Sequence, residues 1–164
     1  MLATGKSHEK CESRNVLDSC SHSANIYCRS GYISSSRGLM NAKVQRAIAA
    51  NGSVIVSING LSPKGFFGEL TFWYYAIPSK IQADSAQGAL FVDVANVKGV
   101  HYSFTVWESK QAMWAYVSSG SHQEAMRNFH RFATGKVYSF ETSTVPSMKE
   151  AIALLETNGR VIGG

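Results

Sequence analysis

The chain has 164 residues, a net charge of +5 and a hydrophobic fraction of 45%. This length predicts one domain with a tail, and the apolar content is sufficient for a core. Because no run of Lys and Arg is interleaved with aromatic residues, we expect no nucleic-acid binding. The N-terminus lacks the apolar core of a secretory signal, and no apolar window is long enough to span a bilayer, so a cytoplasmic location is expected.

Residues 1–38 differ in composition from the rest of the chain. They are rich in Ser and poor in large apolar residues, which predicts a disordered or loosely attached extension. The three cysteines all lie here, at spacings that fit no zinc site. A transit peptide is an alternative that the acidic residues disfavour, and an incorrectly assigned start codon would give the same composition. Residues 39–164 are predicted to form a single domain.

Hydrophobic periodicity divides the domain into helices and strands. The predicted elements are a helix over Leu39–Ala50, a strand over Ser53–Asn59, an aromatic-rich helix over Phe66–Asp84 that Pro78 kinks or splits, a hairpin of strands over Ala89–Val97 and Val100–Glu108, a two-part helix up to Gly135, a strand over Lys136–Thr142 and a last helix ending at Asn158-Gly159. Alternation within the second hairpin strand places four residues on one face: His101, Ser103, Thr105 and Trp107.

Helix boundaries follow from capping residues. Ser109 is the expected N-cap of the two-part helix, and Gly120 breaks it. Two pairs match the capping-box pattern: Ser121 with Glu124, where the helix restarts, and Ser147 with Glu150, where the last helix begins. Gly135 is the expected C-terminal stop of the two-part helix.

The resulting β-α-β-β-α-β order, followed by a C-terminal helix, predicts an α+β fold of the ferredoxin-like type. Its four-stranded antiparallel sheet would carry helices on one face only. The other face is not very polar, since Phe91, Trp107 and Tyr138 alternate with other apolar residues. An open apolar face predicts a homodimer in which two sheets close over each other.

The stretch FTVWES, followed by a helix and SGSHQEAMRNFHR, looks like the antibiotic biosynthesis monooxygenase group of dimeric α/β barrels. It most resembles the C-terminal part of spheroidene monooxygenase-like proteins, in which a Val-Trp strand leads to a helix, a Gly-containing break, a His and an Arg. The corresponding residues here are Val106, Trp107, Gly120, His122 and Arg127. The resemblance covers roughly residues 53–142 and implies a dimeric α/β barrel.

The resemblance leaves the cofactor open. The heme-degrading branch of the group carries an Asn in the first strand, a Trp in the second helix and an iron-ligating His ten residues later. Asn59 matches the first of these, whereas Tyr116 and Met126 occupy the other two positions. The chain therefore either works without a cofactor or holds a heme through another ligand, such as His122 or His130.

Six residues are candidates for the site. We assign His122 and Asn59 to catalysis, and Trp107, His101, Tyr116 and Arg127 to substrate binding. Four of them have a structural alternative: Trp107 as a packing residue, Asn59 as a turn former, His122 as a partner of the backbone, and Arg127 as a surface partner of Glu124 or Glu108.

Two functions fit these observations. The first is a monooxygenase-like oxidoreductase that binds a small apolar molecule, aromatic or polyene, in the barrel cavity, with His122 or His101 as the base. The second is a non-catalytic ligand-binding or interaction domain of the same fold. The sequence contains no nucleophile-base-acid set, phosphate loop or metal-ligand spacing, which keeps the second function open.

Overall fold

The chain folds into one antiparallel sheet with helices on both faces. The computed structural model describes the backbone of residues 33–163 and the side chains of residues 42–163. The elements in chain order are α1 (Ile33–Asn51), β1 (Val54–Pro63), α2 (Gly65–Ser85), β2 (Ala89–Val97), β3 (Val100–Trp107), α3 (Lys110–Val117), α4 (Gly120–Phe132), β4 (Ala133–Thr142), α5 (Met148–Asn158) and β5 (Arg160–Ile162). Most of the predicted N-terminal extension, with its three cysteines, lies outside the described residues, and α1 begins before the predicted Leu39.

The sheet has the strand order β2-β3-β1-β4-β5, and every neighbouring pair is antiparallel. Its first four strands have the predicted ferredoxin-like order, with the N-terminal strand in the centre. The fifth strand extends the sheet beyond the predicted four. It covers three residues of β4, from Gly135 to Val137, and it is too short to produce a periodic signal in the sequence.

One face of the sheet, here called the outer face, carries the main hydrophobic core. Alternate residues of β1 point into it, and Val56 and Ile58 are 0% exposed. They pack with residues of the first and last helices: Val44 and Ala47 of α1, and Ala151 and Leu155 of α5. The prediction of helices on one face only is therefore wrong. The apolar face that was expected to be open for a second sheet is covered by the chain's own helices.

The opposite face, here called the inner face, is covered by α2, α3 and α4. A smaller core forms there around Phe72, Phe129 and Phe132. The predicted face of β3 is confirmed, because its register with β1 sets four residues side by side with the inner-face residues of that strand: His101, Ser103, Thr105 and Trp107 opposite Leu61, Asn59, Ser57 and Ile55.

Two of the three predicted helix starts are confirmed. The Ser109 side chain accepts a hydrogen bond from the Ala112 N–H, and Ser147 with Glu150 forms a complete capping box. The capping box of Ser121 with Glu124 is wrong, because α4 already begins at Gly120, after Ser119. The Ser119 hydroxyl is used elsewhere, since it donates to the carbonyl of Ala115.

Of the two effects predicted for Pro78, a kink or a split, the split is excluded, because α2 runs through Pro78 as one helix. Gly135 lies inside β4 rather than at the end of a helix, because α4 already ends at Phe132. A Cβ at Gly135 would lie 2.3 Å from the carbonyl oxygen of Gly60, so glycine here permits close approach of two strands. None of the helices in residues 33–163 is long and apolar enough to cross a membrane.

Strand β2 forms one of the two edges of the sheet. Its pairing with β3 shifts register between Ala89 and Phe91, which is a bulge. Further along, the Asp93 carboxylate accepts a hydrogen bond of 2.9 Å from the Val94 N–H. The edge is thus irregular at one end and carries a charged side chain near its middle.

The position of α5 on the outer face can be tested with Leu155→Ala. Leu155 is 0% exposed, so the truncation should lower the free energy of unfolding by about 2–5 kcal/mol. Leu154→Ala is the matched control, because Leu154 is only partly buried and should cost less. Urea denaturation measures both. Equal, small losses would contradict packing of α5 against the sheet.

Candidate functional site

Three of the predicted site residues form a stack, here called the aromatic column. The Trp107 side chain is 1% exposed, and its ring lies 5.0 Å from that of Tyr116 at an angle of 28°. The imidazole of His122 lies on the same tyrosine, 4.5 Å between ring centroids. Strand β3, helix α3 and helix α4 each supply one member, so the break between the two helices brings His122 back over Tyr116.

The polar atoms of the two larger rings are anchored. The Trp107 Nε1–H donates to Thr105 Oγ1 at 2.8 Å, and the Tyr116 hydroxyl donates to the Ser79 carbonyl at 3.2 Å. Burial raises the pKa of Tyr116 far above its usual value, and the negative charge of Asp84 adds to this. Tyr116 is therefore a neutral donor over the whole physiological pH range.

His122 is suited to accept a proton. Burial lowers its pKa below the usual 6.5, against a smaller opposing effect of the Val117 carbonyl. That carbonyl lies 3.4 Å from Nδ1 and can only accept, so Nδ1 carries the ring proton. Nε2 is then the basic nitrogen, and it has no hydrogen-bond partner among the described residues. A neutral imidazole with an unused lone pair in an apolar setting fits a general base.

Gln82 of α2 holds the break between α3 and α4, although sequence analysis did not identify it. Its Oε1 accepts from the His122 N–H at 3.0 Å, and its Nε2 donates to the Ser119 carbonyl at 3.0 Å. Gly120 lies against it with a φ of +54°, and a Cβ there would be 2.8 Å from the Gln82 oxygen. One amide thus fixes the turn that carries His122.

A polar row, which we define as Ser57, Asn59, Ser103 and Ser139, lines the inner face of the three central strands. Asn59 Nδ2 donates to Ser103 Oγ at 3.2 Å, and Ser139 Oγ donates to Ser57 Oγ at 2.9 Å. None of the four is fully buried. Asn59 makes no other side-chain hydrogen bond within the described part of the chain, so its amide oxygen is available to a ligand.

His101 belongs to a separate cluster at the far end of β3. Its Nε2–H donates to Glu69 Oε1 at 2.9 Å, and Asn96 Nδ2 lies 3.0 Å from its Nδ1. The Gly99 N–H donates to Asn96 Oδ1, which turns the NH₂ group of that amide toward the imidazole. Both ring nitrogens are thus occupied. Glu69 also accepts from the Trp73 Nε1–H at 2.9 Å.

The predicted pocket therefore does not unite all its residues. Trp107 lies six positions after His101, which corresponds to roughly 20 Å along a strand. His101 is also stacked on Phe72, with 4.4 Å between ring centroids, so packing explains its position. Arg127 lies on the exposed side of α4 and makes no ion pair, with Glu124, Glu108 or any other described residue.

The described residues do not reproduce the heme-degrading pattern. Met126, at the position of the iron ligand, is 43% exposed. Tyr116, at the position of the Trp, donates its hydroxyl to a backbone carbonyl. Both ring nitrogens of His101 are already hydrogen-bonded, and His130 is exposed on α4. The residues at the two altered positions therefore do not fit the heme-degrading pattern, whereas His122, one of the two alternative ligands, keeps Nε2 without a hydrogen-bond partner among the described residues.

Two shallow surface hollows lie apart from the aromatic column. One of about 260 Å³ is lined by residues of β1, β4 and α5, including Gly60 and Leu155. The other, of about 470 Å³, lies where β1 begins and α3 starts, beside Ile55 and Ser109. Neither is lined by His122 or Asn59.

Searches against protein-family models and against curated proteins find no match. Solved structures do match. A candidate antibiotic biosynthesis monooxygenase from Deinococcus radiodurans has a TM-score of 0.50 at 14% identity, over 57% of this chain and 97% of that one. Rv0793 from Mycobacterium tuberculosis has a TM-score of 0.50 at 11% identity, over 58% of this chain and 98% of that one.

A third match is SnoaB, a cofactor-independent oxygenase from Streptomyces nogalater, with a TM-score of 0.47 at 10% identity, over 58% of this chain and 96% of that one. At such identities the two matches with a TM-score of 0.50 establish a shared fold alone. That fold is the one found in antibiotic biosynthesis monooxygenase-like proteins, and this much of the predicted resemblance is confirmed. The more specific likeness to spheroidene monooxygenase-like proteins has no counterpart among these structures.

The role of Gln82 predicts a measurable cost for Gly120→Ala. A Cβ there would displace the Gln82 amide, whose lost hydrogen bonds should cost about 1 kcal/mol each, in addition to the strain of a positive φ. Gly52→Ala is the matched control, because Gly52 also has a positive φ, of +81°, with no atom near its missing Cβ. If thermal unfolding gave equal losses for both variants, the Gln82 contact would not be important.

The lowered pKa of His122 predicts a stability change below pH 6.5. Above that value the imidazole is neutral in both states and adds no pH dependence. As the pH falls below 6.5, the unfolded chain binds a proton that the half-buried His122 resists, so the free energy of unfolding falls until the pH reaches the folded pKa. His122→Gln should flatten this part of the curve, measured by urea denaturation at several pH values. An unchanged slope would contradict burial of the imidazole.

Proposed function

We propose that the protein is a monooxygenase-like oxidoreductase that acts on a small apolar, aromatic or polyene molecule without a bound cofactor. The observation that carries this proposal is the state of His122, which is neutral, backed by Tyr116 and Trp107, and has an unused Nε2 lone pair. The fold shared with a candidate antibiotic biosynthesis monooxygenase supports it at the level of the scaffold.

The proposed reaction begins with an activated CH₂ group of the substrate. Nε2 of His122 removes one proton, and the resulting carbanion adds dioxygen and regains the proton to give a hydroperoxide. Loss of water then leaves a carbonyl group, so one oxygen atom enters the product and the other leaves as water. Delocalisation over an aromatic or polyene system stabilises the carbanion, which explains the expected substrate class.

The other residues of the site would orient the base or bind the substrate. Trp107 is 1% exposed and stacked on Tyr116, which packs against His122, so these two rings orient the imidazole and keep water from it. The second Nδ2–H of Asn59 and the O–H of Ser103 can donate hydrogen bonds to the oxyanion that conjugation places on the substrate. Arg127 and His101 have no part in this proposal, because the first is exposed and the second is fully hydrogen-bonded.

The second candidate is a ligand-binding domain without catalysis. It is favoured by one observation: no described acid or base lies within hydrogen-bond distance of His122 Nε2 to return the proton. A binding domain would use the same polar row to hold its ligand.

Anthrone, a tricyclic ketone with an acidic CH₂ group, is a suitable probe. We expect the protein to accelerate oxygen uptake and anthraquinone formation, and His122→Gln to reduce the rate by at least about 100-fold, as expected for loss of a general base. The rate should rise with pH through a pKa below 6.5, because only the neutral imidazole accepts a proton. An oxygen electrode follows the uptake, and absorbance follows the quinone.

His130→Gln is the matched control, because His130 lies on the same helix but is exposed. Its rate should equal that of the unmodified protein. Calorimetric binding of anthrone with no oxygen uptake would favour the ligand-binding domain. Equal rates for His122→Gln and the unmodified protein would overturn the assignment of the base.

A further inference from the structure

The outward side of α2 carries a continuous apolar surface that nothing in residues 33–163 covers. Seven large residues lie on it, each between 46% and 81% exposed: Phe66, Phe67, Leu70, Trp73, Tyr74, Ile77 and Ile81. We call them the α2 stripe. At 100° per residue they occupy a sector of roughly 120°, and they extend for about 22 Å along the axis. The opposite side of the same helix is buried, at Gly68, Phe72, Ser79 and Ala83.

The stripe is larger than an ordinary surface patch. Monomeric proteins seldom expose more than about 300–600 Å² of continuous apolar surface. Seven large side chains at these exposures present on the order of 1,000 Å², which exceeds the roughly 800 Å² that each partner contributes to a standard protein interface.

Charge does not oppose burial of the stripe. The Glu69 carboxylate accepts hydrogen bonds from the side chains of His101 and Trp73, and Lys80 forms an ion pair with Asp84. No basic residue other than Lys80 lies within α2, so the helix lacks the Lys- and Arg-rich polar face of a membrane-surface helix. A dry protein surface fits the stripe better than a lipid headgroup layer.

The spacing of the stripe identifies the partner. Three pairs of stripe residues share one midpoint, between residues 73 and 74: Phe66 with Ile81, Leu70 with Ile77, and Trp73 with Tyr74. In two antiparallel helices related by a two-fold axis, residues at equal distances from the axis face each other. If the axis passes this midpoint, every apolar residue of the three pairs meets an apolar residue of the second copy. Six of the seven stripe residues are therefore complementary to one another, and the seventh, Phe67, faces Lys80 of the second copy.

We infer that the chain forms a homodimer through antiparallel packing of α2 against α2 of a second copy, rather than through the faces of the two sheets. Phe66 of one chain then lies against Ile81 of the other, and the indole and phenol rings of the central pair meet at the axis. The inner-face site stays within each chain, so this inference is independent of the proposed reaction.

Charge substitutions at one facing pair test both the surface and the pairing. Leu70 is 54% exposed and Ile77 is 55% exposed, so Leu70→Lys and Ile77→Glu should leave the fold intact, as circular dichroism would verify. Sedimentation equilibrium should give twice 17.9 kDa for the unmodified full chain and 17.9 kDa for each variant. An equimolar mixture of the two variants should recover the dimer, because the introduced ammonium group of one chain then faces the introduced carboxylate of the other.

Val161→Glu is the matched control, because Val161 is also exposed, at 66%, but lies on β5 away from the stripe. This variant should remain a dimer. The inference is overturned if the unmodified chain sediments as a monomer at about 100 µM, whether or not it binds phosphatidylcholine vesicles. It is also overturned if both variants remain dimeric, or if their mixture stays monomeric.

Discussion

Strand β1 is the constraint on which both sides of the molecule depend. It is hydrogen-bonded along one edge to β3 and along its other edge to β4. Its even-numbered residues fill the outer core, where Val56 and Ile58 are completely buried, and its odd-numbered residues Ser57 and Asn59 belong to the polar row. A shift of one residue in register would exchange the two sets and destroy core and site together.

Local patterns in the sequence were sufficient for most of the fold. The alternation in β3 predicted its two faces, and the N-caps at Ser109 and Ser147 were predicted from the residues that follow them. The same reasoning failed at Ser121, because the helix starts earlier. The number of covered faces could not be read from local patterns, since an apolar alternate row looks the same whether α5 of this chain or another molecule covers it.

The candidate site was predictable only in part, for a related reason. Trp107, Tyr116 and His122 were placed together correctly because the strand, the helix and the break follow one another directly in the chain. His101 was misplaced, since a period of two indicates which face a residue occupies but not how far along the strand it lies. Gln82 and Glu69 left no signal, because their partners are 40 and 32 residues away.

The irregular edge strand β2 has a consequence for how the protein behaves in a concentrated solution. A straight, unpaired strand offers its N–H and C=O groups to any other extended chain, which is how sheets grow into aggregates. The bulge between Ala89 and Phe91 interrupts that template, and the Asp93 carboxylate already occupies the Val94 N–H. An incoming strand would have to displace a charged group and straighten the bulge, so the open edge resists sheet-to-sheet polymerisation.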